Sequence, residues 1–401
     1  MTLPRPFWFL WLGQTLYRVG LLAPAFLVLY LQEDGLADDR TTAVIVGLFG
    51  AGVLVGGLLG GVVADLVGAR RTILWSQPVA LVTAMLFLVS TDIRVIGVLS
   101  LLAGVLSSVD RPAAAGLIAT LVPHEQFAKA YSILLIGFNV GMSLGPVLAG
   151  VLLTVAPAGL FVLWAASSLA YASLVWRLPV DERPAAAGPE GSTLLRRTVL
   201  GLVEPFRSRV LLVFLGLTAL LAAIYLQLNS TLPLHMRSEG LTAAEIGLII
   251  AVNAVLSVLL LPLVPRLVRG MRDEVPLALA ALLVAIGFGM NAFAGGIPTF
   301  VAAVVVWTAG EVLWAPMSAT FLAKRAPAGR TSSYQGAFFF AWNAAFVVGG
   351  PVGITVANAW GYKLLWFCTF VVGAVAALGL LLMARIPGFA PVAAESKVEM
   401  T

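Results

Sequence analysis

Long apolar stretches separated by short polar segments occupy most of the chain. A helix needs about 20 apolar residues to cross a bilayer, and twelve stretches approach or exceed that length. They form two groups of six on either side of the one long polar stretch, Pro179 to Arg209. Their approximate bounds are 7–31, 43–65, 72–90, 95–120, 127–155 and 158–178, then 209–234, 244–265, 275–294, 297–322, 331–357 and 361–385. The pattern predicts an all-α membrane protein with twelve transmembrane helices, numbered here in chain order.

An internal repeat relates the two groups of helices. At an offset of 204 residues, predicted helices 4 and 5 match predicted helices 10 and 11 at four positions: Pro112 and Pro316, Pro123 and Pro327, Asn139 and Asn343, Gly145 and Gly349. We therefore predict two pseudo-symmetric six-helix bundles, residues 1–178 and 209–386. A parallel repeat of this kind is typical of transporters whose substrate site lies near the middle of the membrane, between the halves.

The basic residues of the loops predict the orientation, because cytoplasmic loops carry an excess of Lys and Arg. With both termini in the cytoplasm, eighteen Lys and Arg residues fall on the inner side and four on the outer side. The segment 179–208 is then a cytoplasmic linker, in which 194–203 has the composition of a short amphipathic helix on the membrane face. Residues 387–401 are expected to form a flexible cytoplasmic tail.

Composition excludes a soluble protein and several kinds of site. Of the 401 residues, 60% are hydrophobic and 11% are charged, whereas soluble domains carry about 25% charged residues. The net charge of +5 comes from basic residues spread over the loops, so no nucleic-acid partner is expected. The single Cys368 excludes a disulfide framework and a Cys-rich metal site, and we expect neither a metal nor a cofactor. The absence of a Walker-type phosphate loop argues against an ATP-driven pump.

A motif of glycine, acidic and basic residues lies between predicted helices 2 and 3. It comprises Gly61, Asp65, Gly68, Arg70 and Arg71. This spacing resembles the G-x-x-x-D-R-x-G-R-R/K signature of the major facilitator superfamily, although the usual Arg is missing at positions 66 and 69. The resemblance implies a cytoplasmic gate in which the carboxylate of residue 65 holds the start of helix 11, near 331–333. The alternative is an ordinary positively charged cytoplasmic loop.

A second glycine motif lies in predicted helix 5 and comprises Gly141, Gly145, Pro146 and Gly150. It resembles the G-x-x-x-G-P-x-x-G-G element of the twelve-helix drug/proton antiporters of the superfamily, and a degenerate copy occurs at 349–353 of helix 11. Small residues four apart also make a flat face for close helix contact. Helix packing is therefore the alternative to an antiporter-specific role.

Four ionisable residues fall within predicted helices: Arg18, Asp110, Arg111 and Glu311. Such residues are costly in a bilayer and are expected to face a partner or a watery cavity. At 1.5 Å per residue, Asp110 and Glu311 both lie in the cytoplasmic half, but of these in-span charges only Asp110 has candidate cations, Arg18 and Arg111, in its own half. We therefore predict that Asp110 stays ionised beside Arg18 or Arg111, and that Glu311 takes up and releases a transported proton. The alternatives are a structural ion pair for Asp110 and, for Glu311, a carboxyl held by Asn or Trp donors.

Helices 1, 4, 7 and 10 line the central cavity in the superfamily, and polar and aromatic residues on these helices and on helices 5 and 11 are the candidate substrate contacts. They are Gln14, Tyr17, Asn139, Tyr225, Gln227, Asn229, Trp307, Trp314, Trp342 and Asn343. The aromatic residues offer stacking or cation–π surface. Their alternative is to face lipid or to fill contacts between helices.

The favoured function is a proton-coupled secondary transporter that exports lipophilic drugs or small metabolites by alternating-access antiport. The alternatives are proton-coupled uptake of a small anionic metabolite and a membrane receptor of the same fold that does not transport. An enzyme is disfavoured because no nucleophile, base and orienting group converge. Heavy use of Ala, Gly and Arg is typical of a GC-rich bacterial genome, so we expect a protein of the bacterial inner membrane. We expect it to be a monomer.

Overall fold

The computed structural model describes residues 3–21, 39–156, 158–179, 201–228, 230–327, 330–387 and 389. In this part of the chain every regular element is helical, which confirms the all-α prediction. The long helices are α1 (Arg5–Gly20), α2 (Asp39–Val67), α3 (Ala69–Val89), α4 (Ile93–Leu121), α5 (Phe127–Val155), α6 (Gly159–Trp176), α7 (Arg209–Leu226), α8 (Ala243–Leu260), α9 (Glu274–Met290), α10 (Ile297–Arg325), α11 (Thr331–Trp360) and α12 (Tyr362–Leu382).

The length and polarity of these helices fit a membrane. Among the described residues, ten stretches are long and apolar enough to span a bilayer, and Phe127–Gly141 adds a shorter apolar one. The remaining predicted span begins in α1, and its predicted continuation, 22–31, lies outside the described residues. Large apolar side chains such as Trp75, Val98 and Leu248 point outward, as expected for helices surrounded by lipid rather than water.

Two predicted helices end five or more residues earlier in the structure than their apolar stretches do. The predicted helix 209–234 stops at Leu226 and is followed by a short helix, Thr231–Ser238. The predicted helix 244–265 stops at Leu260, where a 3₁₀ turn, Leu261–Leu263, takes over. Proline at position 262 lacks a backbone N–H, so one hydrogen bond of the α-helical pattern is missing at this point.

The internal repeat extends to the helix bounds. The helices α4 and α10 both contain 29 residues, and each carries its proline, Pro112 or Pro316, at the same position. The packing follows the same repeat: α2 and α3 pack on α4 as α8 and α9 pack on α10, and α6 contacts α1 and α3 as α12 contacts α7 and α9.

The chain divides into two compact units. Unit 1 comprises Met1–Glu204 and Ala326–Phe340, and unit 2 comprises Pro205–Arg325 and Ala341–Thr401. The division differs from the predicted bundles in that the first ten residues of α11 belong with unit 1. These residues lie against α2, where a Cβ on Gly336 would lie 2.8 Å from the carbonyl oxygen of Gly57.

The predicted linker and tail fall mostly outside the described residues. Of the amphipathic helix predicted at 194–203, only 201–203 are described, and they are helical. In the predicted tail, Phe389 is held in place. Its carbonyl oxygen accepts hydrogen bonds of 3.1 and 2.8 Å from Nε and Nη2 of Arg325.

Candidate functional site

A buried ion pair joins α1 to α4 in unit 1. The Nη2 of Arg18 lies 2.6 Å from Oδ2 of Asp110, and both side chains are almost completely buried, with exposed fractions of 2% and 0%. The same Oδ2 accepts a 3.3 Å hydrogen bond from Nε2 of Gln14, and Nη1 of Arg18 donates to the carbonyl oxygen of Ser107 at 3.4 Å. The geometry favours the structural alternative for Asp110.

The glycines of the helix-5 motif lie beside this pair. A Cβ on Gly141 would lie 2.6 Å from Cβ of Arg18 and 2.9 Å from the carbonyl oxygen of Thr15, so α5 approaches α1 closely at this point. Gly145 is also buried, whereas the side-chain surroundings of Pro146 and Gly150 lie outside the described residues. Close helix contact accounts for Gly141 without an antiporter-specific role.

Arg111 does not take part in this ion pair, although it follows Asp110 directly in the sequence. Its guanidinium carbon lies 4.6 Å from the ring centre of Phe138 and 5.6 Å from that of Phe339. The guanidinium of Arg18 lies 5.0 Å from the same Phe138 ring. No carboxylate among the described residues forms an ion pair with Arg111, so only one of the two predicted partners of Asp110 is engaged.

Glu311 lies in α10, within unit 2, and its partner is an amide. Nδ2 of Asn253 on α8 lies 2.6 Å from Oε2 of Glu311 and also donates to Oγ1 of Thr308 at 3.1 Å. The hydroxyl group of Tyr225 is close to the carboxylate but makes no well-formed hydrogen bond. Within the described ranges, no Lys, Arg or His side chain forms an ion pair with Glu311.

The cations nearest in sequence to Glu311 on α10 are engaged elsewhere. Nζ of Lys324 and Nη1 of Arg325 lie 2.6 and 3.0 Å from the two carboxylate oxygens of Asp273, just before α9. Partial burial raises the pKa of Asp273, but the hydrogen bonds and charges of Lys324 and Arg325 outweigh it, so its pKa is below the ordinary value. These two cations are therefore both bound to Asp273 at the end of α10.

Asn253 is a residue that the sequence analysis missed. It is a polar side chain in the otherwise apolar stretch 244–265, and a hydrogen-bonding side chain inside a membrane helix commonly bonds to a neighbouring helix. The sequence therefore indicated that Asn253 bonds to another helix, but it did not identify Glu311 as the partner. That identification needs the rotation of each helix about its axis, which the sequence does not show.

Three of the candidate aromatic residues fill contacts between helices, as the alternative proposed. Tyr17 is fully buried and stacks on Tyr171 of α6, with ring centres 5.6 Å apart. Trp307 is fully buried in unit 2, where a Cβ on Gly287 would lie 2.6 Å from its Cβ. Trp314 stacks on Phe214 of α7 at 5.8 Å.

Tyr225 lies next to Glu311 and packs against two further aromatic candidates. The rings of Tyr225 and Trp342 lie 5.5 Å apart, and Trp307 meets Tyr225 edge-on at 5.9 Å. Trp342 is only half-buried. A carboxyl group and an aromatic surface thus occur together in unit 2.

The amide candidates differ in burial. Gln227 is buried and ties α7 to α11, because its Nε2 donates to the carbonyl oxygen of Gly349 at 2.8 Å and its Oε1 accepts from Oγ1 of Thr231 at 2.8 Å. Asn139 and Asn343, one repeat apart, are both half-buried. Asn229 lies outside the described residues.

The motif between α2 and α3 makes a defined contact in unit 1. Oδ1 and Oδ2 of Asp65 accept hydrogen bonds of 3.0 and 2.6 Å from the backbone N–H groups of Ser332 and Ser333 at the start of α11. The first N–H groups of a helix have no partner within it, so a carboxylate is well suited to cap them. This is the contact that the family resemblance implies.

The other motif residues shape the turn and bind a second helix end. Gly68 has φ of 104°, a backbone conformation that favours glycine. Nε and Nη2 of Arg70 donate to the carbonyl oxygens of Val175 and Trp176 at the end of α6, at 3.2 and 2.7 Å. Arg71 is exposed.

Replacing Gly61 with valine is expected to destabilise unit 1. A Cβ at this position would collide with the carbonyl oxygen of Ser332, so α2 and the start of α11 must separate and the hydrogen bonds of Asp65 weaken. Overpacking of this kind costs about 1–3 kcal/mol, which thermal unfolding of the purified protein in detergent detects. Gly47→Val on the same helix is the control, because a Cβ at Gly47 meets no atom within 4 Å. Equal unfolding temperatures for the two variants would contradict the close contact.

Comparisons with known proteins agree on one family. A family model described as Major Facilitator Superfamily matches residues 10–350. The uncharacterized MFS-type transporter YttB of Bacillus subtilis (strain 168) is 25% identical over 337 residues, which cover 83% of this chain and 83% of that protein.

Solved structures share the fold at low identity. The human organic anion transporter MFSD10 (TETRAN) has a TM-score of 0.75 and 16% identity, with 94% of this chain and 100% of that chain covered. The proton:xylose symporter XylE bound to 6-bromo-6-deoxy-D-glucose has a TM-score of 0.71 and 15% identity, with 95% of both chains covered.

Proposed function

The chain belongs to the major facilitator superfamily, and we propose that within this family of secondary transporters it is a proton-coupled antiporter that exports lipophilic drugs or small metabolites. As a multi-pass membrane transporter with bacterial relatives, it moves solutes rather than catalysing a reaction. We place it in the bacterial plasma membrane.

The surroundings of Glu311 carry the proposal. A carboxyl group within a membrane helix is expensive to keep ionised unless a cation lies next to it. Asn253 supplies a neutral hydrogen bond to Glu311, and the described residues supply no cation. Such a carboxyl group can exist in both protonation states, because the amide stabilises the carboxylate and the apolar surroundings favour the acid.

Asp110 differs from Glu311 in having a cation next to its carboxylate. Its carboxylate has a guanidinium at 2.6 Å, with almost no exposure of either group. Removing the charge of Asp110 would leave Arg18 buried without its counter-ion, which is strongly unfavourable. We therefore assign proton transfer to Glu311 and a structural role to Asp110.

Antiport requires that the proton and the substrate exclude one another. In this scheme the substrate binds while Glu311 is ionised, and protonation of Glu311 releases it. Linkage then demands that substrate binding lower the proton affinity by the same factor by which protonation weakens substrate binding. Tyr225, which lies beside Glu311, and Trp342, whose ring lies against that of Tyr225, are the proposed substrate contacts in unit 2.

We further propose that the motif between α2 and α3 gates access. Asp65 bonds to the first turn of α11 in this structure, and a carboxylate on backbone N–H groups can be released and remade without breaking a covalent or buried ionic contact. Gly61 and Gly68 permit the close approach and the turn, while Arg70 fixes the neighbouring end of α6.

Vesicles with an acidic interior test the function. Everted membrane vesicles that contain the protein are energised, and an acridine dye reports the proton gradient. A panel of lipophilic cations, neutral drugs and organic acids is then added. An antiporter accumulates its substrate in these vesicles and partly dissipates the gradient, whereas an uptake carrier does not accumulate it. Accumulation without any proton movement would contradict the proposal.

A further inference from the structure

We propose that Arg111 is an anion-binding residue, which receives the carboxylate or sulfonate group of an organic anion with an aromatic body. The proposal narrows the substrate class of the transporter and rests on the proposed function to that extent. The binding step itself is independent of proton coupling.

The described membrane spans of unit 1 contain no acidic residue that is left as a counter-ion for Arg111. The described membrane spans of this unit contain two acidic residues, Asp65 and Asp110. Asp65 is occupied by the backbone of Ser332 and Ser333, and Asp110 is occupied by Arg18. A guanidinium inside a membrane helix is costly unless it has an anionic partner or a watery cavity. An anion that arrives from outside the protein supplies that partner.

Within the part of the chain that the structure describes, no residue accepts a hydrogen bond from the side chain of Arg111. A guanidinium has five N–H donors in a planar fork, and Arg111 donates none of them to a described residue. Its charged group lies 4.6 Å from the ring centre of Phe138 and 5.6 Å from that of Phe339. Aromatic rings hold a guanidinium in place without using its hydrogen bonds. The same two rings offer an apolar surface next to the charge.

Arg18 is unsuited to this role, although its guanidinium lies on the same Phe138 ring. It is committed to Asp110 and is 1% exposed. Gly141 also packs directly against it, so the side chain has no space in which to move. Arg111 is only half-buried, which leaves it accessible to a ligand. The structure therefore separates one structural arginine from one available arginine.

The ligand class follows from the chemistry. Carboxylate and sulfonate oxygens accept two parallel hydrogen bonds from the guanidinium fork. An aromatic or other flat apolar body next to the anion matches the phenylalanine rings. Inorganic anions lack that body and are expected to bind more weakly.

Ligand-dependent stability of the full-length protein in detergent tests the proposal. Naphthalene-1-sulfonate is the probe, and naphthalene-1-sulfonamide is its neutral counterpart with the same rings. Thermal unfolding is followed by light scattering at constant ionic strength and pH. The sulfonate is expected to raise the unfolding temperature in a saturable manner, and the sulfonamide is expected to have little effect.

Variants assign the effect to Arg111. Arg111→Gln is expected to weaken sulfonate binding by about 10- to 100-fold, the size of a charged hydrogen-bonding contribution. Arg111→Lys keeps the charge but loses the fork, so an intermediate affinity is expected, and this variant decides the question if the glutamine variant does not fold. Arg269→Gln is the matched control, since Arg269 is exposed in unit 2, and it is expected to bind like the wild type.

The outcomes separate this inference from the proposed function. No stabilisation by the sulfonate up to its solubility limit, or equal stabilisation in wild type and both Arg111 variants, would overturn the anion site. If the anion site fails while vesicle transport remains coupled to protons, the proposed antiport stands.

Discussion

Glu311→Gln is expected to abolish uphill transport while leaving downhill exchange of substrate intact. Glutamine has the shape of the acid and keeps an oxygen acceptor for Nδ2 of Asn253, which lies 2.6 Å from Oε2 of Glu311. It cannot bind or release a proton in the physiological range. Proteoliposomes with a defined pH gradient and membrane potential measure both modes of transport in the same preparation.

The expected loss is large because the proton supplies all of the driving force. One proton that moves down about 100 mV and one pH unit releases about 3.7 kcal/mol, which supports roughly a 500-fold gradient of a neutral substrate. The Gln variant should accumulate no more substrate than vesicles without the protein. Its exchange of labelled for unlabelled substrate should continue at saturating substrate concentration, since the neutral glutamine weakens substrate binding as protonation does but leaves alternation possible.

The matched control is Asn253→Leu, which removes the amide partner but keeps the carboxyl group. Without that hydrogen bond the carboxylate is less stable, so uphill transport should persist with its pH dependence moved to higher pH. If Glu311→Gln keeps full gradient-driven transport while Asp110→Asn abolishes it, the two carboxyl groups have been assigned the wrong way round.

The sequence predicts the membrane fold well, because a stretch of about 20 apolar residues is a strong signal. It also gives the repeat, which the equal lengths and matching prolines of α4 and α10 support. It does not give the early end of α7 at Leu226, because the stretch 209–234 is long enough to cross the membrane as one helix despite the polar residues at 227 and 229–231.

The candidate site was harder to predict, because the sequence does not show how each helix is rotated about its own axis. The depth of a residue in the membrane can be counted along its helix, and this count left Glu311 without a cation at its level. The sequence left both Arg18 and Arg111 as partners of Asp110, since the direction in which each side chain points depends on how the helices pack. The packing of Tyr17 against Tyr171, and the contact of Asn253 with Glu311, depend on the same unknown.

Asp110→Leu is expected to cause the largest loss of stability of any substitution considered. The change removes the only carboxylate that forms an ion pair with Arg18 among the described residues, and both side chains are almost fully buried. Breaking a buried ion pair by deleting one partner costs about 3–5 kcal/mol, because the remaining charge is left unpaired. Thermal or denaturant unfolding in detergent measures the loss.

The double variant Arg18→Met with Asp110→Leu distinguishes a structural pair from a functional one. Replacing a whole buried pair with apolar side chains of similar volume is often neutral or stabilising, so the double variant should recover most of the lost stability. Its gradient-driven transport should also survive, since the proton carrier Glu311 is untouched. If Asp110→Leu is as stable as the wild type, the carboxylate is not needed to neutralise Arg18. Asp110 would then be free to titrate, and it would become the stronger candidate for carrying the proton.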